Sequence, residues 1–215
     1  MPAVRAVAFD FNGTLSNDEA LLCSIYRELF AEQGRPLAPE EYYEELAGHS
    51  EEAIVGGWLG VSGVELESLV AERIARYRTA SRDGHTIGDA VRRAVEYASA
   101  RVPVAVVSGA YRAEIRPVLE SAGLMGAVRL MVTADDVTNG KPHPESYQRL
   151  VRLLPGDIPP EAVLVFEDTE AGVAAATSAG CRCVALAGTA PPARLGRAEE
   201  IVESIDVALL ERLLA

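Results

Sequence analysis

The sequence predicts an α/β fold, in which a Rossmann-like parallel sheet carries an inserted bundle of α-helices. In residues 83–215, short apolar runs alternate with segments of helical periodicity, as in strands joined by crossover helices. Residues 17–81 are helical in pattern throughout, and 215 residues suffice for one sheet core plus a small insert. We therefore expect a Rossmann-like core of residues 1–16 and 82–215 and an inserted helical unit of residues 17–81.

Four apolar runs predict buried strands of this sheet. The first run delivers Asp10 to a turn that contains Asn12-Gly13. Because ligands bind outside the carboxyl ends of parallel strands, we expect Asp10 at a functional site. The runs lie within residues 4–15, 102–107, 128–133 and 163–166, and helical spacing follows over 111–122 and 170–179.

The insert has the pattern of a small helical bundle. Asn17 or Asp18 signals the start of its first helix. Two later segments, 51–59 and 64–77, repeat apolar residues at helical spacing. The candidate hinges of the insert are residues 15–18 and 79–83.

Acidic and hydroxyl side chains follow the ends of the predicted strands. Glu167 and Asp168 come directly after one strand, and these adjacent carboxylates can share a divalent cation with Asp10. Ser108-Gly109 follows another strand, where a hydroxyl and free backbone N–H groups at a strand-to-helix junction favour an anion. The sequence therefore predicts a site for a divalent cation beside an anion.

Lys141 is the only lysine among the 20 basic residues of the chain, and it lies in a Gly-Lys-Pro loop. In a chain that otherwise uses arginine, this choice indicates a position that a guanidinium would not fill. An ammonium is a compact point charge, so it can neutralise Asp10 beside a phosphoryl group in a crowded site.

With these residues the chain resembles the haloacid dehalogenase superfamily, in the branch that holds phosphoglycolate phosphatase and β-phosphoglucomutase. Asp10-Phe11-Asn12-Gly13-Thr14-Leu15 resembles the first motif of that superfamily and Ser108 its second. Lys141 in Gly-Lys-Pro resembles the third motif, and Phe166-Glu167-Asp168-Thr169-Glu170-Ala171-Gly172 resembles the fourth. The four motifs stand in the expected order and span nearly the whole chain.

The resemblance implies hydrolysis of a small phosphate monoester through an aspartyl-phosphate on Asp10, with Mg²⁺ as the cofactor. It implies that residues 17–81 form a helical cap, which closes over the site and selects the substrate through contacts with its leaving group. The residues implied to hold the substrate are Thr14, Ser108, Gly109, Lys141 and, from the cap loop, His49. The implied Mg²⁺ ligands are Asp10, Asp168, the backbone carbonyl of Asn12, and Glu167 directly or through water.

Asn12 departs from the superfamily pattern, in which the phosphatases carry an aspartate that protonates the leaving oxygen. An amide cannot transfer a proton, and general acid–base catalysis contributes about 10² to 10⁴ in rate, so we expect slow turnover. Three interpretations stay open: a slow phosphatase, an enzyme in which the substrate or a group such as His49 moves the proton, and a non-catalytic or regulatory protein that binds a phosphorylated metabolite. A fourth interpretation is that Asn12, which precedes Gly13, is converted to aspartate by deamidation. Phosphomutase activity is not expected, because it needs reversible proton transfer at this position.

The composition of the chain limits the classes of partner that we expect. A net charge of −12 argues against nucleic acid or an anionic membrane, so a small phosphorylated metabolite is the expected partner. No apolar run of about 18 residues and no leader pattern occurs, which predicts a cytoplasmic protein. Cys23, Cys181 and Cys183 lack metal-ligand spacing and are expected as buried thiols, the last two on one face of a strand. The sequence leaves the substrate, the oligomeric state and the roles of His85 and His143 open.

Overall fold

Six parallel strands form one sheet in the computed structural model, which describes residues 3–215. Along the sheet the strands run in the order β3-β2-β1-β4-β5-β6, so the first strand of the chain lies near the centre. The strands are β1 (Ala6–Phe9), β2 (Val104–Val107), β3 (Leu130–Val132), β4 (Val163–Glu167), β5 (Arg182–Leu186) and β6 (Glu200–Val202). The predicted α/β, Rossmann-like class is confirmed.

The register of the central strands brings the functional residues to one edge. Phe9 of β1 pairs with Val106 of β2 on one side and with Phe166 of β4 on the other. The residues that follow these positions therefore emerge together at the carboxyl edge, among them Asp10 and Glu167. The strands themselves are apolar because helices cover both faces of the sheet.

Helices fill the chain after β1. They are α1 (Glu19–Glu32), α2 (Pro39–Glu41), α3 (Gly57–Leu59) and α4 (Gly63–Ala80), with wider π-helical turns at Tyr42–Leu46 and Glu52–Gly56. Helix α1 packs against α4. The ring of Phe30 lies 5.7 Å from that of Tyr26 and 6.2 Å from that of Trp58, which gives this bundle an aromatic core. The expected helical segments are present, and α1 begins one residue after Asp18.

The remaining helices sandwich the sheet. They are α5 (Asp89–Ser99), α6 (Arg112–Ser121), α7 (Glu145–Leu153), α8 (Glu170–Ser178) and α9 (Val207–Leu214). Val7 and Phe9 of β1 belong to a buried cluster with α5, α6 and α9, whereas Ala6 and Ala8 belong to a second cluster with α7 and α8. The alternation of side chains along one strand thus supplies both cores.

One predicted strand differs from the observed one. Strand β5 begins at Arg182, so Cys181 lies just before the strand rather than in it. Cys181 and Cys183 still pack in the same buried cluster, and all three cysteines are free thiols, as expected.

Within residues 3–215, no single helix combines the length and apolarity that a membrane span requires. The segments Glu52–Leu59 and Gly63–Ala80 have the required length and apolarity only when they are taken together, and the chain bends by 118° between them.

Candidate active site

Four charged side chains meet at the carboxyl edge of the sheet. Asp10 follows β1, and its N–H donates to the Phe166 carbonyl of β4 (2.9 Å), which continues the strand pairing by one residue. Glu167 ends β4 and Asp168 follows it. Lys141 reaches the same place from the loop between β3 and α7. Three of the sequence motifs thus converge at this edge of the sheet.

Lys141 holds this cluster together. Its Nζ donates to Asp10 Oδ1 (2.5 Å), to Glu167 Oε1 (2.5 Å) and to the Val107 carbonyl (3.2 Å), which uses all three ammonium protons. Burial lowers the pKa of Lys141, but the charges of Asp10 and Glu167 raise it further, so the net shift is upward and the amine stays protonated. The side chain is almost fully buried, a position in which a planar guanidinium fork would not fit the same acceptors.

The three carboxylates fit a divalent cation. Oxygens of Asp10, Glu167 and Asp168 lie within 4.8 Å of one another. Lys141 and the Tyr147 hydroxyl both donate to Glu167 Oε1. Glu167 Oε2 and Asp168 Oδ2, in contrast, are buried without a hydrogen-bond partner among the described residues. Burial raises the pKa of Asp10 to about 7 despite the opposing effect of Lys141, and burial with the nearby acidic charges raises the pKa of Asp168 well above its ordinary value. Unpartnered carboxylate oxygens are the hard ligands that Mg²⁺ binds.

Two glycines make room for these carboxylates. A Cβ at Gly13 would collide with Asp168 Oδ2, and a Cβ at Gly172 would collide with the Glu167 carboxylate. Gly13 also has a φ of +73°, which other residues rarely adopt. The Thr14 hydroxyl donates to Asp168 Oδ1 (3.1 Å), so it contacts a carboxylate where the sequence predicts a phosphate contact.

Ser108 and Gly109 lie where the sequence places them, at the end of β2 and on the wall of a cavity that also contains Asp10. Within residues 3–215, the expectation of free backbone N–H groups holds at Gly109, whereas the N–H groups of Ser108 and Ala110 are already paired. The Ser108 N–H donates to the Val132 carbonyl (3.0 Å), because sheet pairing continues past the strand end, and the Ala110 N–H donates to Ser108 Oγ (3.1 Å). The Ser108 hydroxyl proton therefore remains the donor that this residue can offer to a ligand.

Asn12 has a structural partner that the sequence did not reveal. Its side-chain N–H donates to Asp18 Oδ2 (3.0 Å), an oxygen that also accepts from the Tyr77 hydroxyl (2.5 Å). The Gly13 N–H donates to Asp18 Oδ1 (3.2 Å). A carboxylate at position 12 would face the buried carboxylate of Asp18, so an amide suits this place whereas an aspartate would repel its neighbour.

The cavity beside Asp10 is small and lies between the sheet edge and the insert. Its volume is about 60 Å³, room for roughly four to six water molecules or one phosphoryl group. Asn12, Ser108 and Lys141 line it from the sheet, and the exposed His49 lines it from the loop before α3. The insert also contributes Glu19, Leu22, Tyr26, Tyr42, Glu51, Ile54 and Arg73.

Arg73 connects the insert to the core. This side chain of α4 is fully buried and forms ion pairs with Glu51 of the insert and Glu114 of α6. A further bond joins Arg73 Nη2 to Glu114 Oε1 (3.2 Å), and the Tyr26 hydroxyl donates to Glu51 Oε1 (2.8 Å). The guanidinium is thus shared by one carboxylate of the insert and one of the core.

Sequence reasoning missed Glu19, Glu51 and Arg73, because charged residues on helices are usually solvated. One signal was present for Glu19. At helical spacing Glu19 lies on the same face as Leu22 and Tyr26, so it falls on the apolar side of α1, where a charge is unexpected.

Comparison with known proteins identifies the family. The model of the haloacid dehalogenase-like hydrolases matches residues 7–186, most of the chain and all four motifs. The chain belongs to the haloacid dehalogenase-like hydrolase family. It is 29% identical to the validoxylamine A 7'-phosphate phosphatase of Streptomyces hygroscopicus subsp. limoneus, over 94% of each chain. It is 30% identical to a phosphorylated carbohydrates phosphatase of Thermotoga maritima, over 82% of each chain.

A solved structure shows the same fold. The β-phosphoglucomutase of Clostridium difficile superposes with a TM-score of 0.84 at 20% identity, over 98% of this chain and 97% of that one. The predicted superfamily, its phosphatase and β-phosphoglucomutase-like branch, and the prediction of a phosphatase are confirmed.

Proposed function

We propose that this protein hydrolyses a small phosphate monoester in a Mg²⁺-dependent reaction that passes through an aspartyl-phosphate on Asp10. The observation that carries the proposal is the buried cluster of Asp10, Lys141, Glu167 and Asp168 at the floor of a phosphoryl-sized cavity. A carboxylate attacks phosphorus only where its own charge and that of the phosphate are offset. This cluster supplies such an environment.

The roles follow from the contacts. Lys141 holds Asp10 Oδ1, which leaves Oδ2 to attack phosphorus. We assign the phosphoryl oxygens to the Ser108 hydroxyl and the Gly109 N–H, and Lys141, whose three protons are already donated, stabilises them through its positive charge. Thr14 is better placed to orient Asp168 through its hydroxyl than to contact the phosphate.

The metal ligands are Asp10, Asp168 and the backbone carbonyl of Asn12, with Glu167 bound directly or through water. Glu167 Oε2 and Asp168 Oδ2 support this assignment, since both are buried and lack donors. When bound, Mg²⁺ neutralises the charge of the phosphoryl oxygens.

Residues 17–81 are proposed to act as a cap with hinges at 15–18 and 79–83. The cavity is lined by residues from both parts of the chain, and its volume of about 60 Å³ is little more than a phosphoryl group occupies. Separation of the two parts would admit a larger leaving group, and their closure would exclude water. Of the proposed hinges, the first is tied by the Ser16 hydroxyl to Thr86 Oγ1 (2.7 Å).

The cap side of the cavity favours an uncharged, hydroxyl-rich leaving group. Its acidic residues are Glu19 and Glu51, and its guanidinium, Arg73, is already paired with Glu51 and Glu114. The described residues on this side therefore offer no unpaired guanidinium to a second phosphate or a carboxylate, whereas an acidic side chain in either protonation state can hydrogen-bond a hydroxyl. A phosphorylated carbohydrate or polyol is therefore the proposed substrate class, in line with the names of the two phosphatases above.

The proposed setting is the cytoplasm, with a small metabolite as the partner rather than nucleic acid or a membrane surface. The net charge of −12 and the three reduced, buried thiols support this setting.

We expect phosphate release to require the metal. With chelator, turnover of a hexitol phosphate should fall to the level of a blank without enzyme, because the buried carboxylates then repel the substrate, and added Mg²⁺ should restore it. The measurement is phosphate release over a panel of hexitol phosphate, phosphoglycolate, a nucleotide and p-nitrophenyl phosphate. Turnover that survives exhaustive chelation would contradict the proposal.

Asn12 favours one second candidate, a protein that binds a phosphorylated metabolite without turnover. The same panel separates the two. p-Nitrophenyl phosphate has a leaving group that hardly needs an acid, so a competent site with Asn12 should still cleave it. Binding of phosphate with no cleavage of this ester would support the second candidate.

A further inference from the structure

The reaction proposed above needs a proton donor, and Asn12 of the first motif cannot be that donor. When the bond between phosphorus and an alcohol oxygen breaks, that oxygen must receive a proton. Asn12 is neutral, and its N–H is directed to Asp18 (3.0 Å). Some other group on the cavity wall must therefore provide the proton.

Most candidate donors on the wall are already committed. The Tyr26 hydroxyl donates to Glu51 (2.8 Å) and the Tyr42 hydroxyl to Glu19 (2.9 Å). Lys141 gives its protons to Asp10, Glu167 and a backbone carbonyl, and Arg73 is paired twice. Glu51 is ion-paired with Arg73 and accepts from the Tyr26 hydroxyl, and Asp10 is the proposed nucleophile. The titratable groups of the wall that remain are therefore Glu19 and His49.

Glu19 is better placed than His49. Glu19 is a buried residue, 9% exposed, that lies at the start of α1 and lines the cavity that contains Asp10. Its Oε2 accepts from the Tyr42 hydroxyl, which fixes the side chain, and its Oε1 has no hydrogen-bond partner among the described residues. His49 is exposed, and its ring has no hydrogen bond or ion pair with residues 3–215.

We propose that Glu19 is the general acid that protonates the leaving oxygen, in place of the residue at position 12. As Asp10 bonds to phosphorus and the ester bond breaks, the proton of Glu19 passes to the leaving oxygen and an alcohol departs. Glu19, now a carboxylate, then takes a proton from the water that attacks the phosphoryl group. The bond from Asp10 to phosphorus breaks, inorganic phosphate leaves, and both carboxyl groups return to their starting states. The proposal rests on the proposed function.

The environment of Glu19 supports this assignment. Burial and the charge of Asp18 raise the pKa of Glu19 to about 8, while the Tyr42 hydroxyl opposes the shift and Asp10 adds to it. The carboxyl is thus protonated near neutral pH, as a general acid must be. The titratable groups around it are Asp18 and Cys23 from its own element, Tyr42 and Tyr43 from the insert, and Asp10 and Asp168 from the sheet edge.

The test compares leaving groups in the Glu19→Gln variant, with enzyme in excess so that leaving-group release reports the first step alone. A hexitol phosphate needs the acid and p-nitrophenyl phosphate hardly does. We expect the variant to lose about 10² to 10⁴ in rate on the hexitol phosphate and less than about tenfold on the aryl ester. In the wild type, cleavage of the hexitol phosphate should fall as the pH rises through the pKa of Glu19, and the variant should lack this decline.

Glu28→Gln, at an exposed glutamate of the same helix, is the matched control and should leave the ratio of the two rates unchanged. Equal losses on both esters in Glu19→Gln would overturn the proposal, because a merely structural role slows both. An unchanged rate on the hexitol phosphate would overturn it as well, and a selective loss in His49→Gln would transfer the role to that residue. The aryl ester separates this failure from that of the proposed function: a wild type that cannot cleave it with Mg²⁺ lacks the phosphatase itself, and both proposals then fall.

Discussion

Replacing Asp10 with asparagine is expected to abolish phosphate release, lowering kcat by a factor on the order of 10⁴ or more. The amide has the shape of the carboxylate but is not a nucleophile towards phosphorus, so the covalent intermediate cannot form. The fold should survive, since Lys141 keeps its contact with Glu167 (2.5 Å). The measurement is Mg²⁺-dependent release of phosphate from the best substrate of the panel, together with the urea unfolding midpoint.

Asp83→Asn provides the matched control for this variant. Asp83 is an exposed residue whose contact is with His85. It lies in the proposed second hinge but far along the chain from the carboxylate cluster, and its replacement should leave kcat within about twofold, since surface substitutions seldom matter. If Asp10→Asn kept a tenth of the wild-type rate, Asp10 would not be the nucleophile.

Replacing Arg73 with methionine is expected to lower the free energy of unfolding by about 3 to 5 kcal/mol. The reason is what the change leaves behind. Glu51 and Glu114 are both buried, and without the guanidinium their charges have no partner. Glu51 Oε2 already lacks a hydrogen-bond partner in the wild type. The measurement is urea unfolding at constant pH, with extrapolation to water.

Arg76→Met is the matched control, because Arg76 belongs to the same helix and also contacts two carboxylates, Glu32 and Glu72. Those glutamates are about half exposed, so water and salt already screen the pairs and we expect a cost of about 0 to 1 kcal/mol. Similar costs for the two variants would show that the buried network of Arg73 does not hold the insert to the core.

The sequence was sufficient to predict the sheet and its charged edge. The apolar runs before Asp10, Ser108 and Asp168 are bounded by turn residues, and parallel strands bring their carboxyl ends together whatever the loops do. The convergence of Asp10 and Asp168 therefore followed from topology, whereas Lys141 reaches them from the long loop between β3 and α7. Their catalytic roles and the boundaries of the cap remain predictions.

The contacts that define the rest of the site could not be predicted, because they join distant segments. Arg73 and Glu114 are 41 positions apart in the chain, and the helical or strand periodicity of a sequence does not predict a contact over that separation. The residue type at position 12 showed that a proton donor is missing. The hydrogen bond from Asn12 to Asp18 could not be predicted, because it depends on how the turn after β1 folds back. A buried glutamate such as Glu19 has the same sequence appearance as a solvated one, except for its place on the apolar face of α1.

The most direct test of the central claim is to trap the covalent intermediate. The Mg²⁺-loaded protein is mixed with substrate, quenched in acid within the first turnover, digested and examined by mass spectrometry. We predict one phosphoryl group on the peptide that contains Asp10, present in the wild type and in Asp83→Asn and missing in Asp10→Asn. Turnover of the substrate with no phosphoryl group on that peptide, or with the group on another residue, would contradict an aspartyl-phosphate mechanism at Asp10.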